Sequence, residues 1–202
     1  MQHSYASLAR SSLTLLTTLV VTAGLAQAEP ADWEIDPEHF SIAFEAGHVG
    51  YQKQLGLFLE GSGSFRYDPD TRKLSSGRVE IQADSIFTNL NARDKHLSGR
   101  DFLSSRRNPL IVFEATDFTS NDGDINGRLA GNLTLLGETH PVTLKVIINK
   151  QAEYPFGHRR ETLGISASTT ITRSLWGMDY GVADNLVGDE VTLRFEFEAL
   201  RQ

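Results

Sequence analysis

Arg93, Asp94 and His96 stand together in Arg93-Asp94-Lys95-His96, and with His48 they are the side chains best suited to directional chemistry. A guanidinium there suits a phosphate or a carbonyl oxygen, with the imidazoles as further donors. The same pair, Arg93 and Asp94, equally suits a structural tie between a helix and strand ends that plugs one end of the fold. Arg173 ahead of Trp176-Gly177-Met178 is a second polar feature, readable as a second mouth or as a turn before the last strand. Other site chemistries lack their parts. The chain contains no cysteine, no G-x-S-x-G elbow and no thiol nucleophile. His39, His48, His96, His140 and His158 include no H-x-x-x-H pair, so no metal ligand set is expected. Gly61-Ser62-Gly63 lies in a strand-like run without the helix that a phosphate loop requires, and reads as sheet curvature.

The elements that must position these residues are strands. Apolar residues recur at every second position in Phe40, Ile42, Phe44, Ala46 and in Val79, Ile81, Ala83. The same period runs through Val142, Leu144, Val146, Ile148, then Leu163, Ile165, Ala167, and most clearly Val191, Leu193, Phe195, Phe197. Weaker strands are expected over residues 54–67, 111–118 and 127–136. Tyr67-Asp68-Pro69-Asp70, Asn121-Asp122-Gly123-Asp124 and Leu136-Gly137 supply turn chemistry between them. Thr88 to Leu97 predicts one short helix, with Thr88 or Asn89 as N-cap and with Leu90 and Leu97 on one face.

About eight consecutive, short-linked antiparallel strands hide one face by closing into a barrel or folding as a sandwich. An eight-stranded barrel has an interior that side chains can just fill, or that can hold one small ligand. The inward set here mixes bulky Phe44, Phe113, Phe195 and Phe197 with small Ala46, Ala83, Ala115, Gly131 and Ala167. Small residues clustered at one level leave a tunnel, whereas small residues paired with rings make ordinary packing. The sequence leaves both open. The expected wall residues are Phe40, Phe44, Leu57, Ile81, Phe113, Leu133, Leu144 and Phe195.

Residues Met1–Ala28 read as a cleavable secretory leader. One cation, Arg10, precedes the apolar run Leu13 to Leu25, and Ala26-Gln27-Ala28 has the small-x-small pattern of a cleavage site. That run is too short and too rich in Thr for a permanent span, so no stable membrane insertion is expected. The domain expected to fold is residues 29–202. The formal charge is −7, and removing a leader with one cation and no acid makes it −8. Such a domain repels nucleic-acid backbones and anionic lipid heads. Without disulfides, its core alone must hold an exported fold together.

Taken in order, these motifs resemble the YceI-like family of exported, lipocalin-like polyisoprenoid-binding proteins. The resemblance is carried by Trp33-Glu34-Ile35-Asp36 with His39, then Phe44, His48 and Gly50. It continues through Arg93-Asp94-Lys95-His96-Leu97, Asp101-Phe102-Leu103, Pro109, Phe113 and Gly131-Asn132-Leu133-Thr134-Leu135-Leu136-Gly137. Pro141-Val142-Thr143-Leu144, Arg173, Trp176-Gly177-Met178 and Gly188-Asp189-Glu190-Val191 complete it. It implies an all-β, eight-stranded antiparallel barrel with one short helix. A lengthwise apolar tunnel would hold an amphiphile with an isoprenoid or similarly long tail. Leu103 departs from the second aromatic often found there. The expected protein is a periplasmic, non-enzymatic carrier without a resident cofactor. The alternative is a structural or stress-response barrel filled by its own side chains. The sequence leaves a homodimer open. Export predicts a mature N-terminus at Glu29 in Edman sequencing of the periplasmic fraction, and an intact Met1 there would overturn the leader.

Overall fold

The computed structural model describes residues 30–120 and 126–202. The leader and the Asn121-Asp122-Gly123-Asp124 turn therefore lie outside the described residues. No described helix is long and apolar enough to cross a membrane.

Ten strand segments form one antiparallel sheet. They are β1 (Ala31–His48), β2 (Gln52–Phe58), β3 (Gly61–Asp68), β4 (Lys73–Gln82), β5 (Ile86–Phe87), β6 (Leu110–Ser120), β7 (Gly127–Leu135), β8 (Glu138–Glu153), β9 (Glu161–Thr172) and β10 (Val187–Arg201). The barrel nonetheless has eight staves. β2 pairs with the second half of β1 and β3 with its first half, both antiparallel, so β2 and β3 are one stave broken at Leu59-Glu60. β5 likewise continues β4 past a single 3₁₀ turn, Ala83–Ser85, pairing Leu57 with Phe87 and Phe58 with Ile86. The barrel closes where β1 meets β10, from Trp33 opposite Arg201 to His48 opposite Val187.

Local chemistry accounts for the joints. Leu136 and Gly137, at φ 55° and 82°, form the two-residue loop between β7 and β8. Two positive φ values give the turn whose twist matches a hairpin. The Asp68 carboxylate accepts from the Asp70 amide at 2.9 Å and from the Thr71 hydroxyl, fixing the turn between β3 and β4. β1 bulges between Ile35 and Phe40, around Pro37, which has no amide to give the ladder.

The helix is shorter than expected. α1 spans Asn91–Leu97, and neither Thr88 nor Asn89 caps it. Asn89 sits at φ 64°, and Leu90 is half exposed ahead of the helix, so Leu90 and Leu97 do not form a shared apolar stripe. The segment between β5 and β6 folds over one end of the barrel. Its shape is set by main-chain bonds such as Leu103 N–H to the Leu97 carbonyl at 2.9 Å.

Buried residues form two clusters, one per barrel end. At the end away from α1 Trp33 is fully buried, and its Nε1 donates to the Tyr67 carbonyl at 3.1 Å. At the capped end Trp176 Nε1 donates to the Leu133 carbonyl at 3.1 Å. Each indole thus contributes its apolar area with its one donor satisfied.

Strand glycines answer to aromatic neighbours. A Cβ at Gly131 would stand 2.3 Å from the Phe113 ring and 2.6 Å from the Glu114 carbonyl. One at Gly164 would meet nothing closer than 3.9 Å. Gly131→Ala is expected to destabilise by roughly 1–3 kcal/mol, as overpacking does. Gly164→Ala should change stability by less than about 1 kcal/mol. Urea denaturation of both variants checks the contrast, and equal midpoints would contradict it.

Candidate functional site

The barrel interior is not filled. A cavity of about 230 Å³ runs through it. One water needs only about 10–15 Å³ by the same measure, but cavities without polar partners stay dry. Ile35, Tyr67 and Phe118 line the end near Trp33, and Phe102, Leu103 and Met178 the capped end. On β10 alone the wall includes every second residue from Val191 to Phe197, together with Val187. That is roughly 30 Å of strand.

Seven of the eight expected wall residues line this cavity: Phe40, Phe44, Ile81, Phe113, Leu133, Leu144 and Phe195. Leu57 does not. It faces outward, 39% exposed, opposite Phe87 on the outer surface. The inward residue is Phe58, and the inward parity of β2 runs through Gln54 and Gly56. Leu55, Leu57 and Leu59 form an apolar stripe on the outside, which imitates an inward face in the sequence. The decisive signal is Gly56, opposite Phe44 in the ladder. A Cβ there would stand 2.2 Å from the Phe44 ring, so the inward side of β2 is the one with the glycine.

The small residues divide between the two packings. Ala46, Ala115 and Ala167 open on the void, whereas Gly131 lies under Phe113, and Ala83 is buried away from the cavity wall. Phe102, Leu103, Leu97 and Met178 were missing from the expected wall because they come from the cap and the loop before β10, where no period reveals a face.

The structure places none of His48, Arg93, Asp94 and His96 on the cavity wall. Arg93 donates Nε to the Thr88 hydroxyl and Nη2 to the Thr88 carbonyl, each at 2.7 Å. Asp94 accepts from the Thr88 amide at 2.8 Å and from its hydroxyl. The pair is the tie between helix and strand end. His96 lies half exposed, 3.4 Å from Asp101 and edge-on to Phe102 and Tyr180. His48 is exposed at the end of β1.

The buried cation of the cavity is Arg173, 2% exposed, in the 3₁₀ turn Arg173–Trp176 after β9. Nε donates to the Gly188 carbonyl at 2.8 Å, Nη1 to Met178 at 2.6 Å, and Nη2 to Tyr180 and Val187 at 2.9 Å each. Burial pulls its pKa below the ordinary guanidinium value, against the nearby carboxylates of Asp189 and Asp179. Asp189 is itself occupied, accepting from the Ser174 amide and hydroxyl.

These features make a deep apolar slot with one cation at its capped end. Comparison with known proteins agrees on the architecture. Residues 33–199 match the profile of the YceI-like domain. The chain belongs to the YceI-like family. A UPF0312 protein of Pseudomonas aeruginosa is 38% identical over 93% of this chain and 95% of its own. One from Yersinia pestis is 40% identical over 72% and 74%. Among solved structures, Burkholderia cenocepacia BcnA superposes with a TM-score of 0.71 at 18% identity, over 81% of this chain and 98% of its own. A domain from Saccharophagus degradans described as polyisoprenoid-binding superposes at 0.61 with 10% identity, over 84% and 98%. At such identities these structures share the YceI-like barrel.

Outside the barrel, Asp36, His39 and Glu198 are close enough to share an ion among the described residues. Nδ1 of His39 is hydrogen-bonded to Asp36 at 2.8 Å and lies 3.7 Å from Glu198, an ion-pair distance only. The Asp36 hydrogen bond holds the His39 pKa above the ordinary imidazole value, with Glu198 adding to it. A raised folded-state pKa stabilises below the unfolded imidazole range, and that contribution is lost as pH rises through the folded value. His39→Gln should therefore flatten the fall of Tm from mildly acidic to mildly alkaline pH. An unchanged slope in pH-resolved calorimetry would contradict this.

Ala167 is 6% exposed and opens on the void. Ala167→Phe is expected to place a ring in the cavity and weaken binding of an apolar fluorescent dye by about tenfold, near 1.4 kcal/mol. Fluorescence titration alongside circular dichroism checks it. Unchanged dye affinity in a folded variant would place the dye elsewhere.

Proposed function

We propose that this barrel carries or buffers an amphiphilic isoprenoid lipid, polyprenyl or quinone-like, in the periplasm and performs no covalent chemistry on it. The carrying observation is the continuous apolar cavity from Ile35 to Met178. Burying each methylene contributes about 0.8 kcal/mol, so a tail of several prenyl units has ample driving force even after ordering losses. A long narrow slot suits a chain better than a compact ligand. The name of the Saccharophagus domain supports the same ligand class.

The leader-like Met1–Ala28 segment supports export, and the acidic charge supports a diffusing protein over one held on anionic lipid heads. Among the described residues, the polar groups on the wall are Ser64, Tyr67, Arg78, Thr169 and Arg173. That set has no acid–base pair facing a common point, which supports binding without catalysis. The lipid is cargo rather than a resident cofactor.

Native mass spectrometry of protein gently purified from its own host is expected to find an apolar adduct in the isoprenoid mass range. Exclusively unliganded protein from that source would overturn the proposal.

A further inference from the structure

The closing ladder between β1 and β10 is interrupted near the Trp33 end. Ile35 stands opposite Ala199 and Phe40 opposite Phe197, so the stretch Asp36-Pro37-Glu38-His39 faces the single residue Glu198. A bulge of this kind re-aims side chains. Here it gathers Asp36, His39 and Glu198 until one donor atom of each lies within 4.8 Å of the others. Asp36 is fixed by its own turn, with Oδ1 accepting from the Glu38 amide at 3.0 Å and Oδ2 meeting Nδ1 of His39 at 2.8 Å.

The protein leaves this cluster short of positive charge and of donors. The Asp36 side chain is 15% exposed and that of Glu198 31%, yet among the described residues no Lys or Arg forms an ion pair with either. Two carboxylates so close repel each other. Oε2 of Glu198 is shut off from solvent and has no hydrogen-bond partner among the described residues. It lies 3.7 Å from Nδ1 of His39, beyond hydrogen-bond reach. A buried acceptor left unsatisfied is costly, and a bound ion is one of the few things that accounts for it.

We propose that Asp36 Oδ2, His39 Nδ1 and Glu198 Oε2 bind a divalent transition-metal ion, with Zn²⁺ the best fit. Zinc takes imidazole nitrogen and carboxylate oxygen at about 2.0–2.2 Å, which sets neighbouring donors of a tetrahedral site roughly 3.3–3.6 Å apart. The His39–Glu198 distance already stands near that range, and the His39–Asp36 distance needs to open by about 0.5 Å. The ion takes the place of any proton held between His39 and Asp36, and that proton passes to solvent. Three protein donors leave the fourth position to water. The imidazole selects against Ca²⁺ and Mg²⁺, which take oxygen ligands in larger number.

The ion would pin the β1 bulge to β10 at the seam that closes the barrel, in a chain with no cysteine to staple it. The site stands outside the cavity wall, so the proposal does not depend on what the tunnel holds. Histidine spacing does not reveal it, because the site has one histidine and its third ligand comes from the opposite end of the chain.

The test titrates ZnCl₂ into purified protein stripped with EDTA and dialysed, followed by calorimetry. One equivalent should bind, about tenfold or more tighter than Ca²⁺ or Mg²⁺. His39→Gln and Glu198→Gln should each weaken Zn²⁺ by about tenfold or more, whereas His48→Gln, at the other end of β1, should leave it unchanged. Zn²⁺ should raise the Tm of the parent and not that of Glu198→Gln. Because both ligand residues also shape the bulge, a further readout uses the parent protein. The ¹⁵N resonance of His39 Nδ1 should shift on adding Zn²⁺, and that of His48 should stay put.

No heat of binding together with an unmoved His39 resonance overturns the site. Zn²⁺ bound undiminished by folded His39→Gln, or lost equally in His48→Gln, puts the ion elsewhere and overturns it too. Ca²⁺ bound as tightly as Zn²⁺ overturns the transition-metal class.

Discussion

The structure depends on one closure. β1 and β10 pair from Trp33 opposite Arg201 to His48 opposite Val187, and this ladder turns a sheet with two edges into a barrel with none. Closure forces alternate residues of every stave inward at a fixed spacing, whether or not their side chains meet in the middle. In this chain they do not meet. Ala46, Ala115 and Ala167 stop short of the axis, and the rings of Phe44 and Phe113 lean back over Gly56 and Gly131 instead of projecting across it. The cavity is thus built by glycine placement as much as by alanine.

The two ends of that cavity are made differently. The end away from the cap is finished by strand residues, with Trp33 stacked on Phe65 and hydrogen-bonded to the Tyr67 carbonyl. The capped end is finished by irregular backbone: the segment carrying α1, and the loop between the Arg173–Trp176 turn and β10. Irregular backbone at the mouth of an apolar space leaves carbonyls to satisfy. Arg173 satisfies two of them, Met178 and Tyr180, together with the first two carbonyls of β10, Val187 and Gly188, and that duty explains how a cation is tolerated where burial opposes it. The polar tie at the other side of the cap is separate, confined to Thr88, Arg93 and Asp94.

Most of the architecture was legible because a period of two is a direct image of the pleat. The strands around Phe40, Val142, Leu163 and Phe195 stand where alternation put them, and seven of eight wall residues face the void. Leu57 failed for a physical reason. Its stave carries apolar residues on the outside as well, at Leu55 and Leu59, so hydrophobicity could not distinguish the faces. Only the pairing of Gly56 with Phe44 does so, and pairing is a tertiary fact.

Order and residue type along the chain determined the all-β class, an approximate number of strands, the apolar character of the inward face and the lack of disulfide staples. Each follows from local alternation and composition, which no distant contact can alter. Tertiary structure alone decided whether the interior stayed empty, which face β2 turned inward, and which cation met the cavity. Those outcomes depend on ring directions and on groups far apart in sequence, such as Arg173 and the Gly188 carbonyl. Arg93 and Arg173 are the same residue type. One is tied to a threonine on the rim and the other reaches the void, because closure of the barrel set their surroundings.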